Sequence, residues 1–346
     1  MQTKSLRGRD FLTLRDFTEE EINTFLDVGF DLKRRFAMEE KHSHLLEDKS
    51  LYMVFYNQSL RTRNSFESGM TQLGGHAHFL ASDKIYTPAV EGEEKAYSTE
   101  RVSDVARVLE RYGDAIAIRM YGPPTGWVYG KANNYMEEFA RWTDIPILNM
   151  ECDKYHPCQA LTDMMTAKEK LGQLKNKKFV MSWAYSPSYE KPLSVPQSAI
   201  IAATKMGMDV VQAQPKGFEL DEEITDACAG YAEKSGGSFE VSYDMEEAFE
   251  DADVVYPKCW GSKAEFENVA QGDDSGMKKL FEENKDWKCD QEMLDIAKDD
   301  ALYMHCLPAD RGWEVSNEVM DGPQSVIFDE AENRMHSQKA VMSLVM

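Results

Sequence analysis

LYMVFYNQSLRTRNSFESG, residues 51–69, runs from an apolar stretch directly into a helical pattern. LYMVFY (51–56) reads as a strand, and Phe66, Met70 and Leu73 share one face of a helix that begins near Arg61. Between strand and helix stand Ser59, Arg61, Thr62 and Arg63. A helix N-terminus offers unpaired N–H groups and a partial positive charge, and hydroxyls with forked guanidinia complete a cage for an oxyanion such as phosphate. The segment has neither a Walker lysine nor a GxGxxG run, so it predicts an oxyanion site of another kind. A capped helix with two solvated arginines is the plainer alternative for this segment alone.

The alternation continues outward. HAHFLA (76–81), AIAIRMY (115–121) and IPILNM (145–150) read as strands, and TERVSDVARVLERYG (99–113) and YGKANNYMEEFARWT (129–143) as helices. Upstream, a helix is expected over about 15–36, with Asp16 as its cap and Ile22, Phe25, Leu26 and Phe30 at helical spacing. The pattern then restarts, with strands at 177–185, 208–215, 251–258 and 301–308 and helices at 194–207 and 221–236. Strands alternating with helices predict parallel sheets covered on both faces. The expected architecture is α/β, with two doubly wound, Rossmann-like domains. A helix from Pro157 to about Leu171 and a last helix from about Glu332 to Val345 join them. Residues 1–152 with 331–346 form one domain and 153–330 the other, and 90–95 and 271–279 are exposed loops.

Composition narrows the function classes. Sixty-one acidic residues against 39 basic give a formal net charge of −22, which argues against nucleic acid or an anionic membrane as the main partner. Any anion must be caught locally. The six cysteines show no CxxC spacing, and reduced thiols are the expectation over a disulfide framework. The opening segment lacks the apolar run of a signal peptide and no stretch approaches a membrane span, so a cytoplasmic location is expected.

Three further clusters stand out. HPCQ (156–159) places His156 and Gln159 on one face of a helix start, where they could donate to a carbonyl oxygen. MHCLPADRG (304–312) is read as a strand running into a Leu-Pro turn, at the kind of strand end where α/β sheets bind ligands. Neighbouring side chains on a strand point to opposite faces, so His305 is badly placed to activate Cys306 as a nucleophile. Arg334 lies in the amphipathic terminal helix and alone would pass as a surface charge. The pairs His42/His44 and His76/His78 have no third ligand at a recognisable spacing, and no metal site is expected.

Taken together, SLRTR (59–63), the arginine of AIRMY, HPCQ, HCLP and DEAENRMHSQKA (329–340) resemble the aspartate and ornithine transcarbamylase family over nearly the whole chain. The resemblance implies a two-domain α/β fold in a homotrimer with active sites shared between subunits, and no metal or organic cofactor. It assigns Ser59, Leu60, Arg61, Thr62 and Arg63 to carbamoyl phosphate. Arg119, His156 and Gln159 match residues that hold the carbamoyl group, Cys306 and Leu307 match carbonyls that take its NH2, and Arg334 matches a further substrate ligand. Arg61, Thr62, Arg119, His156 and Cys306 are the catalytic candidates by this resemblance. The implied Leu307-Pro308 bond is cis.

The acceptor side is similar to a particular branch. YPKCWGSKAEF (256–266) lacks the Ser-Met-Gly segment of ornithine transcarbamylases and resembles the Lys-x-Trp-Gly of the N-acetylornithine branch. On that likeness Lys258 pairs with the acceptor's α-carboxylate. WAYSPSYEKPLSVPQ (183–197) looks like the proline-rich loop of the same branch, whose chains are knotted, and a trefoil knot in the second domain is therefore expected. Ala309-Asp310-Arg311 departs from the Leu-Arg-Arg of that branch and, with the 183–197 loop, is nearer to YgeW-type chains; Asp310 suits a cationic or hydrogen-bond-donating group. Glu151 could orient the acceptor amine, and Tyr86 could reach a neighbouring subunit's site. The resulting expectation is transfer of a carbamoyl group to a primary amine of an ornithine-like or N-acylated amino acid, with phosphate released. Ornithine itself, or a catalytically silent paralogue that only binds carbamoyl phosphate, are the alternatives.

Overall fold

The computed structural model describes residues 5–346. Two compact units divide the chain. The first holds residues up to Thr125, Gly130–Leu161 and Asn333–Met346; the second holds Gly126–Tyr129 and Thr162–Glu332. The crossings at Leu161 and Glu332 fall inside helices, later than the boundaries expected after 152 and 330.

In the first unit, α1 (Glu19–Ala37) leads to β1 (Ser50–Phe55), α2 (Arg61–Leu73), β2 (His76–Ala81), β3 (Thr87–Ala89), β4 (Thr99–Arg101), α3 (Val102–Glu110), β5 (Ala115–Arg119), α4 (Lys131–Arg141) and β6 (Ile147–Glu151). Four strands form a parallel sheet in the order β2-β1-β5-β6, and β3 pairs with β4 alone. All of β5 and β6 is buried, as continuous apolar runs in a parallel sheet require, whereas the edge strand β2 is half-exposed along its length. The cap of α1 is Thr18, not Asp16: its hydroxyl accepts from the Glu21 N–H at 3.2 Å while Glu21 Oε2 accepts from the Thr18 N–H at 2.8 Å. This reciprocal capping box outcompetes an isolated Asp, and Asp16 falls in a preceding 3-10 turn. Gly74 ends α2 at φ +89°, and a Cβ there would lie 1.8 Å from the Ser43 carbonyl oxygen.

The chain passes between units along α5 (Pro157–Leu171) and α13 (Ile327–Val345). The second unit contains β7 (Lys178–Trp183), α6 (Ser194–Lys205), β8 (Asp209–Ala213), α7 (Glu222–Ser235), β9 (Ser238–Ser242), α8 (Met245–Phe249), β10 (Val254–Lys258), α9 (Phe266–Ala270), α10 (Ser275–Glu283), α11 (Gln291–Leu294), β11 (Leu302–Tyr303) and α12 (Asn317–Met320). Its parallel sheet has the order β11-β10-β7-β8-β9. Strand β11 is shorter than the expected 301–308: the Met304 N–H makes a last bond to the Val255 carbonyl, and beyond it the His305 N–H donates to Glu330 Oε2 and the Leu307 N–H to His305 Nδ1. That early end leaves Pro257, which has no N–H to donate, without a strand on its β11 side, while Ser182 of β7 pairs with it on the other. The Leu307-Pro308 bond is cis. Helix α13 starts five residues before the expected Glu332, at Ile327, and part of the expected 271–279 loop forms the start of α10. As expected from the alternating pattern, the fold is α/β with parallel sheets in both units.

Candidate active site

In each unit the strand order reverses direction between two central strands, and such switch points are where open α/β sheets bind ligands. In the first unit this point lies between β1 and β5. The 59–63 segment follows β1, Arg119 ends β5, Glu151 ends the adjacent β6, and His156 opens the way into α5. A bulge between Ile118 and Arg119 sets Arg119 opposite Glu151.

Thr62 is the meeting point. Its Oγ1 accepts from Arg119 Nη1 at 3.3 Å and from Arg334 Nη2 at 3.2 Å, although Arg334 comes from α13, 272 residues away. Arg334 also donates to Gln159 Oε1. Arg119 Nη2 donates to the Tyr121 hydroxyl at 3.1 Å, and Arg119 Nη1 pairs with Glu151 Oε2 at 2.5 Å. His156 Nε2 lies 3.7 Å from the same Glu151 oxygen. Thr62, Arg119, Glu151, His156, Gln159 and Arg334 are all buried.

Burial, reinforced by the positive charges of Arg334 and Arg119, holds the His156 imidazole well below its ordinary pKa. His156 is therefore neutral at physiological pH and can donate one N–H to an oxygen without carrying charge. Arg61 opens α2 and is half-buried, and Ser59 Oγ accepts from the Thr62 N–H at 3.2 Å. Arg63 is not drawn into the cluster: its Nε donates to Glu67 at 3.0 Å and its guanidinium stacks 3.7 Å from the Phe79 ring centre. Leu60 is exposed, and Tyr86 is exposed in the segment before β3.

In the second unit the switch point lies between β7 and β10. Here Lys258 ends β10, buried, with Nζ donating to the Cys259 carbonyl at 3.1 Å. Glu314, fully buried, organises the surrounding loops: Oε1 accepts from the Cys259 N–H at 2.7 Å and Oε2 from the Asp310 N–H at 2.6 Å. Lys258 Nζ lies 3.7 Å and His305 Nε2 3.6 Å from it. Burial alone would raise the Glu314 pKa, but Lys258, His305 and Lys191 together hold it well below the usual carboxylate range. Because His305 Nδ1 accepts from the Leu307 N–H at 2.8 Å, its proton sits on Nε2, facing Glu314.

Asp310, expected to meet a cationic group of the acceptor, already holds a cation of its own chain: its Oδ2 accepts from Lys191 Nζ at 2.9 Å and from the Ser186 hydroxyl at 2.6 Å. Cys306 is half-buried, whereas the other five cysteines are buried and no disulfide links any of the six. Sequence reasoning missed Tyr121, Lys191 and Glu314. Tyr121 was accessible in principle, two residues beyond Arg119; Glu314 sits in an irregular loop with no periodic signal. Among the described residues no group of three or more His, Cys, Asp or Glu side chains is placed to hold a metal ion, and no helix is long and apolar enough to cross a membrane.

Residues 9–169 match the family model described as the aspartate/ornithine carbamoyltransferase carbamoyl-P binding domain, and 191–345 match the Asp/Orn binding domain of the same family. The chain belongs to the aspartate/ornithine carbamoyltransferase family. Similar carbamoyltransferases include the ornithine carbamoyltransferase of Pyrococcus abyssi, 40% identical over 99% of this chain and 97% of that one. The enzyme of Bacillus subtilis is 37% identical over 99% and 95%. Among solved carbamoyltransferase structures, ornithine carbamoyltransferase from Pyrococcus furiosus superposes with a TM-score of 0.84 at 39% identity, covering 99% of each chain. Acetylornithine transcarbamylase complexed with acetylcitrulline superposes with a TM-score of 0.90 at 35% identity, covering 98% of this chain and 99% of that one. This chain is thus a carbamoyltransferase-family enzyme, as the five sequence motifs implied.

Proposed function

We propose that the first unit holds carbamoyl phosphate through the very residues that converge on Thr62, and that the acceptor is the primary amine of an ornithine-like or N-acylated amino acid. The observation that carries this reading is the double donation of Arg119 and Arg334 to Thr62 Oγ1 beside a neutral His156. Arg61, Ser59 and the positive N-terminal end of α2 suit the phosphate, with Leu60 and Arg63 flanking it. Arg119, Thr62, His156 and Gln159 suit the carbamoyl group.

A neutral amine attacks the carbamoyl carbon, forming a C–N bond. Charge that develops on the carbonyl oxygen meets Arg119, Thr62 and the His156 N–H. The C–O bond to phosphate then breaks, and the departing dianion is stabilised by Arg61 and the α2 N-terminus, while the amine proton passes to solvent or to phosphate. In the second unit, the Cys306 and Leu307 carbonyls are acceptors suited to a carbamoyl NH2, and Lys258 is a buried cation suited to an acceptor carboxylate. The Lys191 contact to Asp310 makes it the Lys191–Asp310 pair, rather than a bare carboxylate, that an acceptor would meet.

Ornithine itself is the second reading, favoured by the names of the relatives at about 40% identity. A ureido-product assay with carbamoyl phosphate and ornithine, N-acetylornithine, N-succinylornithine, lysine, putrescine, aspartate and 2,3-diaminopropionate decides between them. Turnover of one amine, abolished in Arg61→Ala, is the expected result; binding of carbamoyl phosphate with no turnover of any amine would replace this reading with a silent paralogue. A cytoplasmic homotrimer with sites shared between subunits, and a knot threaded by the 183–197 loop, are proposed on the same resemblance. Light scattering in solution tests the first and an experimental structure the second.

A further inference from the structure

The segment that follows β11 is held by side chains instead of a ladder. After the Met304 N–H has bonded to the Val255 carbonyl, the next acceptor along the main chain is Glu330 Oε2, which takes the His305 N–H at 3.0 Å. Glu330 is buried in the first turn of α13, where the positive end of the helix favours its ionised form. Its other oxygen, Oε1, accepts from the Tyr256 hydroxyl at 3.4 Å. Tyr256, fully buried in β10, in turn lies within hydrogen-bond reach of the Cys306 thiol. One carboxylate therefore holds both the main chain just before Cys306 and the ring whose hydroxyl meets its side chain.

The direction of these bonds follows from the donor count. A phenol has one proton and two lone pairs. Ionised Glu330 only accepts, and a carboxylate is a stronger acceptor than a neutral sulfur, so the phenol proton goes to Glu330. What remains for Cys306 is a lone pair on the phenol oxygen, to which the thiol donates. The chain then runs from S–H to O–H to carboxylate.

The charges agree with that direction. Burial above all, then Asp163, Cys306 and Glu330, hold the Tyr256 hydroxyl well above its ordinary pKa. The groups that face Cys306 are thus Asp163 from α5, Glu330 from α13, Tyr256 from β10, and Tyr303 and His305 from its own strand and turn. Two are buried acids and none is a cation, since burial lowers the His305 pKa as well. Such surroundings favour the neutral thiol over the thiolate.

We propose that Tyr256 and Glu330 are positioning residues for the transfer reaction: they pin Cys306 as a neutral thiol donating to the Tyr256 hydroxyl, and so fix the 305–307 segment with the Cys306 and Leu307 carbonyls available to a carbamoyl NH2. The carbonyl half of this inference rests on the carbamoyl phosphate reading above; the thiol half does not.

The test is the pH profile of Cys306 alkylation by iodoacetamide in the native full-length chain, from about pH 6 to 10, with the modified residue identified by mass spectrometry. It is compared with Tyr256→Phe, which keeps the ring, and Glu330→Gln, which keeps an acceptor for the His305 N–H. Without the phenol oxygen the neutral thiol loses its acceptor; without the carboxylate the phenol proton can turn to the sulfur. Either change makes the thiolate easier to form. The expected result is a profile moved to lower pH in both variants, with the rate at pH 7 raised about three- to tenfold. The dissociation constant of carbamoyl phosphate, titrated calorimetrically, rises about fivefold in Tyr256→Phe. A profile unchanged in both variants, or moved to higher pH in Tyr256→Phe, overturns the proposal, the second because the hydroxyl would then be a donor to the sulfur. A shifted profile with unaltered carbamoyl phosphate affinity overturns the positioning role. An unaltered chain that binds no carbamoyl phosphate refutes the reading of the first unit and the carbonyl half with it, while the alkylation profile decides the thiol half independently.

Discussion

Arg119 and Glu151 end neighbouring strands and meet at 2.5 Å, both buried, so a ligand that drew on Arg119 would have to share it with this carboxylate. Removing one partner from a buried pair leaves the other uncompensated and typically costs about 3–5 kcal/mol. Glu151→Gln therefore lowers the melting temperature of the free enzyme. If the proposed assignment holds, carbamoyl phosphate, by placing its carbonyl oxygen against Arg119, restores more stability to the variant than to the unaltered chain. Calorimetric melts with and without the ligand check this, and an equal shift in both proteins would refute the competition.

Thr62→Val removes the oxygen that two arginines share while preserving shape. Loss of one preorganised polar group at a site of developing charge costs about 10²–10³ in kcat in comparable sites. Steady-state kinetics should place the loss in kcat, with a smaller change in KM for carbamoyl phosphate; an unaltered kcat would remove Thr62 from the reaction.

The central strands and most helices were legible in the sequence because parallel central strands read as unbroken apolar runs, as in β5 and β10. Edge strand β9, with the polar SFEVS, was not, since a half-exposed strand need not be apolar. In the candidate site the 59–63 segment was legible because its residue types announce anion chemistry, whereas Arg119 and Arg334 stood out only through the family resemblance. Glu314 was not: a lone acid gains its meaning only from the N–H groups and cations that tertiary folding places around it.

Glu314→Ala strands the Cys259 and Asp310 N–H groups and leaves Lys258 without its nearest buried carboxylate. Each orphaned donor costs about 1–3 kcal/mol, so the variant loses several kcal/mol in denaturant unfolding. Glu314→Gln, which keeps one acceptor, loses less.

His156, His305 and His336 are all held below the ordinary histidine pKa, chiefly by burial, His336 to about 3. Unfolded, each binds a proton near pH 6.5; folded, each stays neutral. Their contribution is fully present above pH 6.5 and lost as pH falls below it, at up to about 1.4 kcal/mol per pH unit per residue. Stability measured from pH 7.5 to 5 should decline, and His336→Gln should flatten the slope.

Cys306 is half-buried, while the other five thiols are buried and, for Cys158, pushed up to about 12. A maleimide at pH 7 should modify one thiol in the native protein and six after denaturation. Carbamoyl phosphate should slow the first reaction if Cys306 lies at its site.

The bond from Arg334 to Thr62 joins positions 272 residues apart. The segment that carries Ser59, Arg61 and Thr62 is translated well before Arg334, so a nascent chain that has not reached residue 334 lacks the second of the two arginines that donate to Thr62 Oγ1. The hydroxyl's set of partners is complete only after helix α13 has been made.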